Sequence, residues 1–200
     1  MRNAEATKER ILEAALAEFS AHGIAGARVD RIAQAARCNK NLIYVYFQDK
    51  ETLFATVLRK HLLRVHEEQP FTPDDLPGYA AKLFDWAMAN PAPMRLLSWF
   101  ALEQQAKGPA ERIPIFDAKV AALAEAQNAG QVGTAFPPDF LLTAALRLAT
   151  AWSAAGPFGP SLDPKAAERP AALRKNITEA VRLLANAGKA ARTQGRSKPR

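Results

Sequence analysis

The chain has 200 residues with a formal net charge of +7, and 48% of its residues are hydrophobic. This is enough for a sizeable buried core in one or two domains, whereas a single cysteine excludes an internal disulfide framework. No stretch offers the roughly 20 apolar residues of a membrane-spanning helix, and the charged N-terminus lacks the apolar run of a signal peptide, so we expect a cytoplasmic protein without a membrane partner.

The charge is unevenly distributed. Residues 1–66 carry +4, residues 67–187 carry −2 and residues 188–200 carry +5. We expect the last stretch to be a solvated, disordered tail rather than a specific DNA arm. The first third remains basic without it, and this asymmetry is typical of a nucleic-acid-binding head on a body with another task.

The N-terminal third predicts three helices. The first covers residues 7–22 and ends at Gly23, with Glu18 among the charged residues of its solvent face. Apolar residues at helical spacing predict a second helix over residues 29–36. Asn39 is a good N-cap for a third, over residues 39–47. Only Arg37 and Cys38 lie between the last two, and two short helices with so tight a turn are typical of helix-turn-helix DNA-binding proteins.

The rest of the chain also reads as helices. Asp49 is a candidate N-cap for a long helix that runs to residue 67 and joins the head to the body, and the composition of residues 70–78 indicates a linker. Five more helices are predicted over residues 79–89, 93–105, 113–128, 138–155 and 171–186. We therefore predict an all-α protein of about nine helices, with a three-helix head (residues 1–50), a larger C-terminal helical bundle (residues 51–187) and a basic tail (residues 188–200).

Residues 7–58 resemble the DNA-binding head of the TetR family of bacterial transcriptional regulators. The matching features are AEFSAHG at the end of the first helix, VDRIAQAA in the second and NKNLIYVYFQDKETL in the third and fourth. Each motif is weak alone, but together they cover about fifty residues at the family's spacing. The remaining 140-odd residues match only in length and helix pattern.

The resemblance implies that the N-terminal end of the third helix enters the major groove of DNA. Asn41 is suited to a base edge, where a bidentate amide–adenine pair discriminates by roughly 1–3 kcal/mol. Leu42 and Val45 are suited to a thymine methyl group. Lys40 and Tyr44 are expected to contact phosphates, which position the protein without specifying sequence.

Further contacts are expected at the ends of the neighbouring helices. Lys50, at the start of the fourth helix, and Arg28, at the start of the second, are both placed to bind phosphates. For Tyr46 the sequence leaves two roles open, packing in the core and contact with DNA. The candidate DNA-binding residues are Arg28, Asn39, Lys40, Asn41, Leu42, Tyr44, Val45, Tyr46 and Lys50.

The head departs from the family pattern at six residues. Arg37 replaces a glycine usual in the turn, and a positive φ there would cost about 1–2 kcal/mol. Cys38 replaces an aliphatic residue. Ala27 and Arg28 replace the threonine that usually caps the second helix, so a bond worth about 1 kcal/mol is missing. Asn41-Leu42 replaces a common Gly-Thr pair, so the operator cannot be transferred by analogy.

The resemblance further implies a small-molecule effector bound among the middle helices, and a homodimer formed through the last two helices. Of the large apolar residues there we select Met94, Trp99, Phe100 and Phe116 as candidates to line the effector pocket, although ordinary core packing is their default interpretation. The small-residue faces of the last two helices form the candidate dimer face: Ala144, Ala145, Leu148 and Trp152 on one, and Ile177, Ala180, Val181 and Leu184 on the other. Packing within a single chain explains these faces nearly as well as a dimer does. Symmetry favours the dimer, because one head contacts few bases.

Catalytic and metal-binding interpretations find little support, and no cofactor is expected. Cys38 has no histidine at a useful spacing, and His61 and His66 are five residues apart rather than the four of a helical metal pair. No glycine-rich phosphate loop is present. We therefore expect a ligand-responsive DNA-binding regulator, most simply a repressor, rather than an enzyme. The alternative is a helical ligand-binding or dimerisation module whose head no longer reads DNA.

Overall fold

The computed structural model of the chain describes residues 2–107 and 114–189, and over these residues the fold is all-helical. Two short 3-10 turns, Pro73–Asp75 and Ala166–Glu168, supplement ten α-helices. The helices are α1 (Arg2–Gly26), α2 (Val29–Ala35), α3 (Lys40–Phe47), α4 (Lys50–Glu68), α5 (Leu76–Ala89), α6 (Pro91–Lys107), α7 (Pro114–Asn128), α8 (Pro138–Thr150), α9 (Gly159–Leu162) and α10 (Pro170–Asn186). The predicted fold class is confirmed, and the predicted basic tail lies outside the described residues beyond Lys189.

The helix that the sequence did not predict is α9, a single turn in a stretch predicted to be irregular. α8 ends at Thr150 rather than near residue 155, because the chain turns there: the Ser153 N–H donates to the Thr150 carbonyl at 3.1 Å. Gly156 then passes so close to Ala151 that a Cβ would lie 2.0 Å from its carbonyl oxygen. Only a glycine fits this turn.

Two helix starts differ from the predicted ones. The predicted linker is partly helical, because the Asp75 carboxylate accepts from the Gly78 N–H at 3.0 Å and so caps α5 at Leu76. In the head, α1 begins near residue 2 and continues past Gly23 to Gly26. Gly23 itself has φ 65° and ψ −177°, which is not helical, so the predicted break is present as a kink inside the helix.

The head core is formed by α1, α2, α3 and the first half of α4. Phe19 of α1 and Phe54 of α4 meet edge to face, with ring centroids 5.2 Å apart. Leu96 of α6 is buried in the same cluster. The head therefore packs directly on a helix of the body and is not held by α4 alone.

The body core is formed mainly by α5, α7, α8 and α10, with α5 packed against both α8 and α10. Ile177 and Val181 of α10, one turn apart, are both buried in it. These two residues of the candidate dimer face thus belong to the core of their own chain. Leu183, on another side of α10, is 59% exposed, and Phe140 of α8 is also exposed.

Candidate nucleic-acid interface

The turn between α2 and α3 contains a residue in the left-handed region. Arg37 has φ 51° where the family usually has glycine, so the expected strain is present. The turn is held by backbone hydrogen bonds, including one from the Cys38 N–H to the Ala33 carbonyl at 3.0 Å. Cys38 is half-buried against the head core, and burial raises the pKa of its thiol.

The start of α3 is fixed by its cap. The Asn39 side chain accepts from the Asn41 N–H at 2.9 Å, as predicted. Beyond the cap, Asn41, Tyr44 and Val45 project from one side of α3, which we call the outer face of α3, and all three are exposed. Val45 is 76% exposed although it is apolar. Leu42 is half-buried, so it has less of its side chain to offer a ligand.

Lys40 forms an ion pair between the two helices of the motif. Its ammonium lies 2.9 Å from the Asp30 carboxylate of α2, and both side chains are exposed. The hydrogen bond to Asp30 raises the pKa of Lys40. The lysine is therefore charged at neutral pH, and its partner must be displaced before it can bind a phosphate.

Glu18 supplies the cap that α2 lacks. Arg28 provides no side-chain cap, but its N–H donates to the Glu18 carboxylate at 2.8 Å. Arg31 donates to the same oxygen at 2.7 Å. The Glu18 side chain is only 10% exposed, so its predicted solvent position is wrong. Burial alone would raise the pKa of Glu18, but the hydrogen bonds from Arg31 and Arg28 lower it overall.

The other predicted contact residues lie at the edge of this surface. Arg28 is exposed beside the α2 start. Lys50 is partly buried, and its ammonium donates to the Ala27 carbonyl at 3.4 Å. Tyr46 is half-buried against the head core, with its ring edge to face on Phe47 at 6.2 Å. The structure gives Tyr46 a packing role, and its contact with DNA stays a prediction.

The four predicted effector-lining residues are not brought together. Met94 is buried beside Trp86. Trp99 and Phe100 instead face the head: Phe100 packs against the head core, and the Trp99 indole N–H donates to the Ser20 carbonyl at 3.3 Å. Phe116 lies on α7 and is exposed.

A small pocket lies between α4, α5 and α6, close to the junction of head and body. Its enclosed volume is about 10 Å³, room for roughly one water molecule and far below the 300–1,000 Å³ that is usual for ligand sites. Burial lowers the pKa of His61 in its wall. The lining residues are Leu58, His61, Val65, Trp86, Pro93, Leu96 and Leu97.

α1 and α6 are joined by contacts that sequence reasoning did not find. The Ser20 hydroxyl donates to the Ala92 carbonyl at 2.8 Å, while the Ser20 carbonyl accepts from Trp99. The Trp99 ring lies on Gly23, where a Cβ would be 2.8 Å from the nearest ring atom. We call Ser20, Gly23, Ala92 and Trp99 the α1–α6 contact. It connects the head to the wall of the pocket, because α6 takes part in both.

Within the described ranges, no group of three or more His, Cys, Asp or Glu side chains could hold a metal ion. The same residues include no helix long and apolar enough to cross a membrane.

Comparison with known proteins gives matches to both parts of the chain. Residues 11–57 match the family described as bacterial regulatory proteins, tetR family, and residues 75–182, more than half of the chain, match the tetracyclin repressor-like C-terminal domain. The HTH-type transcriptional repressor SCO4008 of Streptomyces coelicolor is 47% identical over 144 residues, which cover 70% of this chain and 75% of that protein. The HTH-type transcriptional repressor NicS of Pseudomonas putida is 44% identical over 55 residues, or 28% of this chain and 26% of that protein.

Among solved structures, SCO4942 from Streptomyces coelicolor is similar with a TM-score of 0.75 and 37% identity, covering 88% of this chain and 96% of that one. A TetR-like transcriptional regulator from Rhodococcus is 16% identical with a TM-score of 0.60 over 88% of this chain and 94% of its own. The second likeness concerns the fold alone.

Proposed function

Because this chain belongs to the TetR family of bacterial transcriptional regulators, we propose that it represses transcription by binding a palindromic operator as a homodimer. A small, partly apolar effector that binds the body releases it from DNA. The family consists of DNA-binding regulators rather than enzymes, so no catalytic role is assigned. A repressor acts on DNA, so the proposed function implies a cytoplasmic protein.

The outer face of α3 carries this proposal. Val45 leaves an apolar side chain in solvent on a basic head, an arrangement without benefit to the isolated chain but suited to a thymine methyl group. Asn41 is free to meet a base edge, because the Asn39 side chain already caps the helix. Lys40 and Tyr44 lie beside these two residues and are proposed to bind the DNA phosphates. Arg28, Asn39, Leu42, Tyr46 and Lys50 complete the proposed surface.

The proposed division of the chain is a head over residues 1–50, an effector-binding and dimerisation body over residues 51–187, and a basic tail. One head offers few base contacts, so two heads related by the symmetry of the dimer would contact the two halves of a palindrome. The exposed side of α8 and α10, with Phe140 and Leu183, is the proposed dimer contact. Effector binding would act on the spacing of the heads through α4 and through the α1–α6 contact, which Trp99 forms.

The pocket between α4, α5 and α6 is the proposed starting point for the effector, with Met94 behind Trp86 in its wall. The pocket is small, so effector binding must widen it. That widening would separate α6 from α4 and so reach the head. In this proposal Trp99 and Phe100 transmit the movement of α6 to the head rather than contact the effector. Phe116 is exposed on α7, on the outer side of the body.

The proposal is tested by titrating the protein into labelled duplexes taken from the DNA that flanks the protein's own coding region, with duplexes of random sequence as competitors. We expect Lys40→Ala to weaken binding to all duplexes, because it removes a phosphate contact. Val45→Ala should weaken binding to the operator alone, by about tenfold, because it removes one base contact. Lys165→Ala, which removes an exposed charge from the segment between α9 and α10, is the control and should change neither. If no duplex binds below about micromolar concentration at low salt, the chain is not a DNA-binding regulator.

A further inference from the structure

The body contains a buried lysine that forms no ion pair with any acid among the described residues. Lys119 of α7 is only 7% exposed. Its ammonium donates to the Tyr79 hydroxyl oxygen of α5 at 2.7 Å, and no carboxylate in the described part of the chain forms an ion pair with it. This differs from exposed basic residues such as Lys40 and Arg174, which pair with acids.

Among the described residues, the hydrogen-bonding capacity of this pair is incompletely used. An ammonium group has three N–H donors, and Tyr79 accepts one of them. The Tyr79 O–H is a further donor, and burial raises the pKa of this phenol to about 12, so it keeps its proton at neutral pH. Burial also lowers the pKa of Lys119, which is the expected result when a cation loses water without gaining an anion.

Two aromatic rings surround the ammonium but cannot replace an acceptor. Phe71 and Tyr79 meet edge to face at 5.0 Å, and the Lys119 Nζ atom lies 5.6 Å from the Phe71 centroid and 5.0 Å from that of Tyr79. The second distance follows from the bond to the hydroxyl of that ring, so it is not a separate contact with the ring face. The rings attract the charge, yet they leave the remaining N–H groups without directed partners.

We propose that Lys119 and Tyr79 bind the carboxylate of the effector, which is therefore a small-molecule acid with an apolar body. This inference rests on the proposed function and names the chemical class of its effector. A carboxylate accepts from the free N–H groups of Lys119 and from the Tyr79 O–H together. One ammonium matches one negative charge, which favours a monocarboxylate over a phosphate ester.

The pair does not line the small pocket, but Tyr79 shares α5 with Trp86, which does. Tyr79 and Trp86 are seven residues apart on α5, so they lie on the same side of the helix about 10 Å apart along its axis. Val65 of α4 packs against both the body core, which contains Tyr79, and the Trp86 cluster. An acid of that length would place its carboxylate at Lys119 and its apolar end at Trp86. Phe71, half-buried in the non-helical segment before Pro73, is the side chain that must move to admit it.

The test measures the thermal stability of the full chain, without DNA, in phenylacetate, 4-phenylbutyrate and octanoate, each paired with its uncharged amide. We expect at least one acid to raise Tm while its amide does not. Lys119→Met, which keeps length and apolarity but removes the ammonium, should weaken binding of that acid at least about tenfold. Lys82→Met, which removes an exposed lysine from α5, should leave it unchanged.

Tyr79→Phe provides a second variant that retains the ring packing and should weaken binding of the same acid, because it removes one hydrogen-bond donor to the carboxylate. Circular dichroism confirms that each variant is folded. Binding of acid and amide with equal affinity, retention of binding in Lys119→Met, or no response to any acid at about 10 mM would each overturn the proposal. A folded chain that binds the acid but no DNA would instead contradict only the repressor function.

Discussion

At the scale of single residues, Arg37 shows how a departure from the family pattern is accommodated. The turn imposes φ 51° on a residue with a Cβ, and the left-handed region disfavours such residues by about 1–2 kcal/mol. The backbone hydrogen bonds of the turn hold it there, so the motif keeps its geometry at the expense of stability.

We predict that Arg37→Gly is more stable than Arg37→Ala by about 0.5–1 kcal/mol, since relief of the strain exceeds the greater flexibility of glycine in the unfolded chain. Both variants lack the arginine side chain, so the difference isolates the backbone. Urea unfolding monitored by circular dichroism measures it. Equal stabilities would show that the turn is not strained.

Asp30 competes with DNA for Lys40. We predict that Asp30→Asn binds the operator severalfold more tightly and with a steeper salt dependence, because Lys40 becomes available to a phosphate without first breaking its 2.9 Å ion pair. Fluorescence anisotropy at several salt concentrations measures both. In the Lys40→Ala background the gain should largely disappear. A gain of the same size there would show that Asp30 acts only by its own repulsion of the phosphates.

At the scale of elements, the kink in α1 depends on the fit between Gly23 and Trp99. A φ of 65° with ψ −177° belongs to a region open almost only to glycine, and a Cβ there would overlap the indole ring. The kink and the seating of α6 on α1 are therefore one feature.

We predict that Gly23→Ala destabilises the chain by more than about 2 kcal/mol, because backbone strain and overlap with Trp99 act together. Gly130→Ala is the control, since Gly130 also has positive φ, 71°, but no atom within 4 Å of the added Cβ. Thermal and urea unfolding give both values. In a Trp99→Ala background the Gly23→Ala penalty should fall, and an unchanged penalty would mean that the overlap has no part in it.

At the scale of the whole molecule, assembly is decided by what the chain leaves exposed. The candidate dimer helices bury Ile177 and Val181 in their own core, so a partner can only use other sides of α8 and α10. Leu183, 59% exposed, is the most direct probe of that surface.

We predict that Leu183→Asp converts a dimer of about twice the 21.8 kDa chain mass into a monomer, because an interface core does not tolerate an unpaired charge. Sedimentation velocity measures the mass, and operator affinity should fall with it. Leu162→Asp is the control, since Leu162 is 84% exposed on α9, outside the proposed interface. A wild-type monomer at micromolar concentration would refute the dimer.

Local chemistry by itself determined most of the helices, the helix-turn-helix motif and the Asn39 and Asp49 caps, because helix periodicity and capping depend on neighbours a few residues apart. Only the tertiary structure decided what depends on distant partners. Glu18 turns inward because its carboxylate accepts hydrogen bonds from the Arg28 N–H and the Arg31 side chain, which lie ten or more residues further along the chain. Trp99 faces α1 because Gly23 leaves room for its ring. Lys119 is buried because α7 packs against α8 and the Pro73–Asp75 turn and its ammonium meets Tyr79 of α5, which no local pattern encodes.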